Sequence, residues 1–178
     1  DNADFAQRSD QFYADYQSGD LDIDAYLRFA LGTLKGRSPA ELHNWHSAFM
    51  HSKIKPILLP KASDLLAEHR RRGHELVIIT ATNRFITAPI AAALGVDNLI
   101  ACEAEIVDGI YTGAPSGVPS FQAGKVTRLY DWMESRDLRL DGAWFYSDSH
   151  NDLPLLELVD NPVAVDPDET LRARAVER

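Results

Sequence analysis

Leu76-Val77-Ile78-Ile79, closed by Thr80, is a short and continuously apolar run, and four of these five residues are β-branched. A run of that length bounded by polar residues belongs to a strand covered on both faces, as in a parallel sheet. Working outward, Lys61 to Arg72 reads as a helix with Leu65 and Leu66 turned inward and Gly73 just past its end. After the strand, Phe85 to Leu94 reads as a helix closed by Gly95, followed by a strand around Leu99 to Cys102. Glu105 to Thr112 predicts a hairpin turning at Asp108-Gly109. Next come a helix over Ala123 to Ser135, a strand Ala143 to Tyr146, a short helix Asp152 to Val159, a strand Val163 to Val165 and a last helix from Asp168. Repeated strand and helix predict an α/β, doubly wound, Rossmann-like parallel sheet with its ligand crevice at the C-terminal ends of the strands.

The first third contains helical patterns only. Phe5, Phe12, Tyr13 and Tyr16 fall near one face of a first helix ended by Gly19, and Ile23, Tyr26, Leu27, Ala30, Leu31 and Leu34 stripe a second ended by Gly36. Ser38-Pro39-Ala40-Glu41 combines a capping Ser, a first-turn Pro and a Glu able to close the capping box. A third helix should therefore carry Leu42, Trp45 and Phe49 inward and end before Pro56. The expected organisation is a helical region over 1–58 and an α/β core over 59–178.

The chain has 178 residues, 45% hydrophobic and 25% charged, in the range of an ordinary globular domain. Eighteen Lys and Arg against 27 Asp and Glu give a net charge of −9, the wrong sign for a nucleic-acid or anionic-membrane partner. The expectation is no nucleic acid and no membrane, with an oligomeric state that is not readable. The one cysteine, Cys102, forms no internal disulfide and reads as a small buried apolar residue, which fits a cytoplasmic location.

The informative polar residues are those at strand ends. Thr80 ends an apolar strand, Asp148 follows another one residue beyond Ser147, and Lys125 sits near the start of a helix. A hydroxyl, a carboxylate and an ammonium converging on one crevice suit a phosphate held with a hard cation. In Ser147-Asp148-Ser149-His150-Asn151-Asp152, the two Asp residues are four apart across a strand-to-helix turn. They either share one metal site, or Asp152 caps the short helix and Asp148 is a loop residue. His43, His46 and His51 do not share one helical face and read as solvated or near a substrate rather than as a metal cluster. Arg70-Arg71-Arg72 reads as a solvated helix end, and Trp45, Trp132 and Phe145 as core.

Thr80 after its strand, Gly124-Lys125 and the run Ser147 to Pro154 together resemble the second, third and fourth motifs of the haloacid dehalogenase superfamily of phosphatases. The nearest branch is the phosphoserine phosphatase-like one, which includes histidinol-phosphate phosphatases and has a helical cap inserted before the second motif. The resemblance implies a Mg²⁺-dependent hydrolase of a small phosphorylated metabolite, histidinol phosphate or phosphoserine, working through an aspartyl-phosphate. Asp148 would ligate Mg²⁺. Asp152 would orient metal-bound water or Lys125. Thr80, with the backbone N–H groups of Ala81 and Thr82, would bind phosphate. Lys125 would neutralise the transferring group, and Asn151 would hydrogen-bond near it.

One feature of the family pattern is missing. Its first motif, a strand followed by Asp-x-Asp, supplies the nucleophile, and the only candidate here, Asp20-Leu21-Asp22-Ile23-Asp24, follows Tyr16-Gln17-Ser18-Gly19 and reads as a helix cap. The motif and one core strand are expected upstream of Asp1, leaving residues 1–178 inactive by themselves. The alternative is a binding or regulatory protein of the same fold without turnover. A dinucleotide-binding oxidoreductase is disfavoured because no Gly-x-Gly-x-x-Gly lies between a strand and a helix. Arg8, Arg28 and the three histidines are candidates for selecting the substrate.

Overall fold

The computed structural model describes residues 2–177. It is an α/β fold in which helices precede a mixed β-sheet, built as two compact units. One is Leu27–Ser120 and the other comprises the remaining described residues, 2–26 and 121–177.

In the first of these units, Ser38 starts α3 (Pro39–Phe49) as its sequence predicts. Its hydroxyl accepts from the Glu41 N–H, while the Glu41 carboxylate accepts from the Ser38 N–H at 2.6 Å, completing the box. Beyond Phe49 the chain continues as a π-turn, Met50–Ile54, and a 3₁₀ turn, Lys55–Ile57, so the helical path passes Pro56 instead of stopping before it. Pro56 is tolerated because it stands in a first turn, where its missing N–H would have no intrahelical partner. Leu42 is buried as expected, but Phe49 is 37% and Trp45 63% exposed. Trp45 instead carries the Arg37 guanidinium over its ring at 4.6 Å, a contact that an exposed aromatic face can make.

Helix α4 (Pro60–Arg71) leads into β1 (Val77–Asn83), α5 (Arg84–Ala93), β2 (Asn98–Val107) and β3 (Ile110–Ser116). Leu65 on α4 is partly exposed and His69 is the residue buried there, opposite to the expected pattern. The strand order is β1-β2-β3, with β1 parallel to β2 and β3 antiparallel. Asp108 and Gly109 both have positive φ, +51° and +77°, which is the two-residue turn that matches the twist of a hairpin. Leu31, Ile100, Ala101 and Cys102 form part of the buried core.

Strand β1 runs past Thr80 to Asn83, longer than its apolar run. Ile79 lies opposite Ile100 and Asn83 opposite Cys102, so four steps along β1 span two along β2. The surplus leaves the ladder as a bulge over Thr80 to Thr82, a distortion that re-aims side chains at a strand end. Asn83 then caps α5 by accepting from the Ile86 N–H at 3.2 Å.

The other unit holds α1 (Asn2–Ser18), α6 (Ala123–Glu134), β4 (Trp144–Ser147), α7 (Leu153–Leu156), β5 (Asn161–Ala164) and α8 (Glu169–Val176), with α2 (Ile23–Gly32) starting in it. Strands β4 and β5 pair in parallel. The helix expected over 152–159 is shorter, a 3₁₀ turn His150–Asp152 followed by α7, because Pro154 fits only its first turn and Leu155 and Leu156 supply its buried contacts. Tyr13 is exposed, while Trp132 and Phe145 are half-buried rather than fully enclosed. Asp22 accepts from the Ala25 N–H at 3.0 Å, so Asp20 to Asp24 is a helix cap, as its sequence context implies. No helix among the described residues is long and apolar enough to cross a membrane.

Candidate active site

The polar loop after β4 is tied to α6 by an ion pair. Lys125 Nζ donates to Asp152 Oδ1 at 2.5 Å, and the residues are only 6% and 8% exposed. The other carboxylate oxygen, Oδ2, accepts from the Ser147 hydroxyl at 2.7 Å. Ser147 Oγ in turn accepts from the Ser149 N–H at 3.1 Å, closing the loop on itself. Both oxygens of Asp152 are thus occupied, and a charged pair removed from water in this way persists only when its remaining bonds are made.

Around this centre lies a network that connects three elements. The Tyr16 hydroxyl on α1 donates to Ser149 Oγ at 2.9 Å. Asn151 Nδ2 donates to the Tyr16 carbonyl at 3.0 Å, and Asn151 Oδ1 accepts from Gln122 Nε2 at 3.0 Å. Burial pushes the Tyr16 phenol up. The hydrogen bond to Ser149 opposes the rise, and the charges of Asp152 and Asp148 add to it, so the phenol stays protonated as a donor. Gln122, just before α6, has a φ of +44°, a sparsely populated conformation for a non-glycine residue. Gly19 ends α1 at a φ of +83°, and a Cβ there would lie 3.1 Å from His150 Nε2, so both its conformation and its neighbour favour glycine.

Asp148 stands apart from this network. It is exposed at the end of β4, and its carboxylate accepts no hydrogen bond from the described residues. Its backbone is fixed all the same, since its carbonyl accepts from the Asp168 N–H at 2.8 Å. The Asp168 carboxylate accepts from the His150 N–H at 2.7 Å and pairs with His150 Nδ1 at 2.9 Å. Burial would raise the Asp168 carboxyl, but the bonds from Leu171 and His150 outweigh it and hold the group below its ordinary value. Among the described residues, no group of three His, Cys, Asp or Glu side chains is gathered as a metal centre.

Lys125, Asp152, Asp148 and Asn151 are therefore brought together in one unit. Thr80, Ala81 and Thr82 belong to the other and form the bulged end of β1 there, in which Thr80 Oγ1 accepts from the Thr82 N–H at 3.1 Å. That bond uses a lone pair and leaves the Thr80 hydroxyl proton available to an acceptor. Sequence reasoning did not single out Ser147 as a partner of Asp152, Gln122 or Asp168. In the sequence pattern Tyr16 is only a position on the apolar face of its helix. Ser147 had a signal, being within reach of Asp152 across the turn. Gln122 had none.

Comparison with known proteins gives the family. The family model for haloacid dehalogenase-like hydrolases matches residues 2–157. A histidinol-phosphatase of Neisseria meningitidis is 43% identical over all of this chain and 82% of its own length. A phosphoserine phosphatase of Mycobacterium tuberculosis is 36% identical over 88% of this chain, which spans about half (51%) of that relative. A crystal structure of a Bordetella pertussis protein of unknown function superposes with a TM-score of 0.92 at 43% identity, covering 100% of this chain and 81% of that one. The chain belongs to the haloacid dehalogenase-like hydrolases and is a phosphatase of that family.

Proposed function

We propose that the protein hydrolyses a small phosphomonoester, histidinol phosphate or phosphoserine, through an aspartyl-phosphate, in the cytoplasm and with Mg²⁺. The observation that carries this reading is the contrast within one loop between Asp152, buried and saturated by Lys125 and Ser147, and Asp148, exposed and accepting no hydrogen bond from the described residues. A hard cation takes one or two carboxylates and keeps several waters, so Asp148 fits as its protein ligand. The cation would supply charge to the phosphoryl oxygens.

The chain's own residues do the rest. Thr80 donates its hydroxyl to a phosphate oxygen, and the N–H groups of Ala81 and Thr82 add donors once the Thr82 N–H leaves Thr80. Lys125 offers positive charge to the transferring group while Asp152 holds its position. Asn151, whose amide is engaged by Tyr16 and Gln122, keeps the loop in place beside the phosphate. None of residues 1–178 is assigned as the nucleophilic carboxylate. In support, Asp22, within the Asp20 to Asp24 run, is committed to a helix cap. Residues 1–58 act as the cap and 59–178 as the core.

The full-length protein should release phosphate from a phosphomonoester panel with Mg²⁺ and lose that activity with a chelator. Binding of phosphate esters without turnover would favour the alternative, a binding or regulatory protein of the same fold.

A further inference from the structure

The unit Leu27–Ser120 contains a second polar centre that the scheme above leaves unused. His46, on the third helix, has its Nε2 buried and without a hydrogen-bond partner among the described residues. Buried polar atoms in folded proteins nearly always find partners, and one that does not calls for a functional or solvent explanation. The ring is held by aromatic neighbours instead. It stacks on Phe49, with centroids 6.2 Å apart and planes at 26°, and packs against Phe85 at 4.9 Å. Phe85 also meets Tyr111 edge-on at 5.9 Å. Phe85 is the second residue of α5, two residues after the bulged end of β1, so in the chain the cluster adjoins the segment assigned to phosphate. Phe49, 37% exposed, is the wall of the cluster most open to displacement by an incoming group.

We propose that His46 recognises the alcohol part of the substrate, its Nε2 bonding to the edge of a flat nitrogen heterocycle that stacks among Phe49 and Phe85. This rests on the reading of the protein as a phosphomonoesterase and selects, within it, an imidazole-bearing ester over an amino-acid ester. The chemistry of the walls makes the choice. Phe49, Phe85 and Tyr111 offer π faces and no charge, which suits a neutral ring and leaves an ammonium and a carboxylate unpaired. Two neighbouring cations are engaged elsewhere: Arg84, beside Phe85, bonds Glu103 at 2.9 Å and the Leu99 carbonyl at 2.7 Å, and Arg37 lies over Trp45. A site built to hydrogen-bond a ring nitrogen rejects a substrate lacking one because its own polar atom then stays unpaired.

The test compares kcat/KM of the full-length protein for histidinol phosphate, phosphoserine and glycerol phosphate in wild type, His46→Phe and His46→Gln. His46→Phe should lose at least about tenfold on histidinol phosphate, chiefly through KM, and stay within about twofold on glycerol phosphate. His46→Gln, which keeps a donor and an acceptor, should recover part of the loss. An unchanged ratio of histidinol phosphate to glycerol phosphate in His46→Phe, or an equal fall on both, overturns the assignment. If wild type hydrolyses none of the esters, the phosphatase reading fails separately, and His46 is judged by ¹⁵N NMR of its ring. Histidinol should move the His46 Nε2 resonance where L-serine does not; no shift at saturating histidinol also overturns the proposal.

Discussion

Two buried polar centres, one in each unit, are handled in opposite ways. Lys125 and Asp152 satisfy each other and recruit Ser147, whereas His46 keeps a covered ring nitrogen with no hydrogen-bond partner among the described residues. Burial costs both centres their water, so the difference lies in what replaced it. In the first, the replacement is internal and the geometry is complete before any ligand arrives. In the second, stacking holds the ring but leaves its bonding capacity to something outside the chain. A saturated centre is a scaffold, and an unsaturated one is a place for recognition.

The largest effect should come from breaking the saturated centre. Lys125→Met leaves Asp152 charged and buried, and should cost about 3 to 5 kcal/mol in urea unfolding, with turnover falling at least about a hundredfold. The double change Lys125→Met with Asp152→Leu removes both charges and should recover much of that stability but none of the activity. If the double variant were no more stable than the single one, the pair would not behave as a saturated unit.

Ser147→Ala tests the third member. It leaves Asp152 Oδ2 and the Ser149 N–H without their shared partner, and the urea midpoint should report a loss of about 1 to 3 kcal/mol. Retention of full stability would mean that water replaces the hydroxyl and that the centre is less enclosed than its burial indicates.

A third polar contact, between buried His69 and exposed His74, sharpens the comparison through pH. His69 and His74 face each other, Nδ1 to Nδ1, at 2.8 Å, an arrangement in which one ring must remain an acceptor. Burial, then the charges of His74 and Arg72, push the His69 pKa below its ordinary 6.5 against a smaller opposing pull from Glu68. The unfolded chain therefore takes up the proton first as pH falls. The stabilisation is full above about pH 6.5 and is lost as pH drops from there through the lower folded value. Unfolding midpoints between pH 7.5 and 5.5 should fall in wild type and flatten in His69→Gln; parallel curves would reject the assignment.

The smallest effect on stability belongs to Asp148→Asn. The carboxylate is exposed and bonded to none of the described residues, so unfolding should change by no more than about 0.5 kcal/mol while Mg²⁺ affinity and turnover collapse. A stability loss like that of Lys125→Met would erase the distinction between the two aspartates.

Most of the fold was legible in the sequence because its signals are local. The run Leu76 to Ile79 marked a strand, Ser38 to Glu41 marked a helix start and Asp108-Gly109 marked a turn, each through backbone preferences that act within a few residues. The spacing of Thr80, Lys125, Asp148 and Asp152 was legible for the same reason, as polar residues at element ends. Periodicity was less informative about depth. It placed Trp45, Phe49 and Leu65 on inward faces, yet all three are exposed, because a stripe tells which side of a helix is apolar and not how much of it a neighbour covers.

The sequence by itself determined the alternation of helix and strand, the caps, and the kinds of side chain available for phosphate and cation. Only the tertiary structure decided which of them meet. Ser147 and Lys125 converge on Asp152, Tyr16 reaches Ser149 from 133 residues away, and His46 is left with a bare nitrogen among aromatic rings. The reason is physical: a residue's preference for a helix or strand is set by its own backbone, but a buried donor or acceptor is satisfied only by whatever group the whole chain brings within about 3 Å of it.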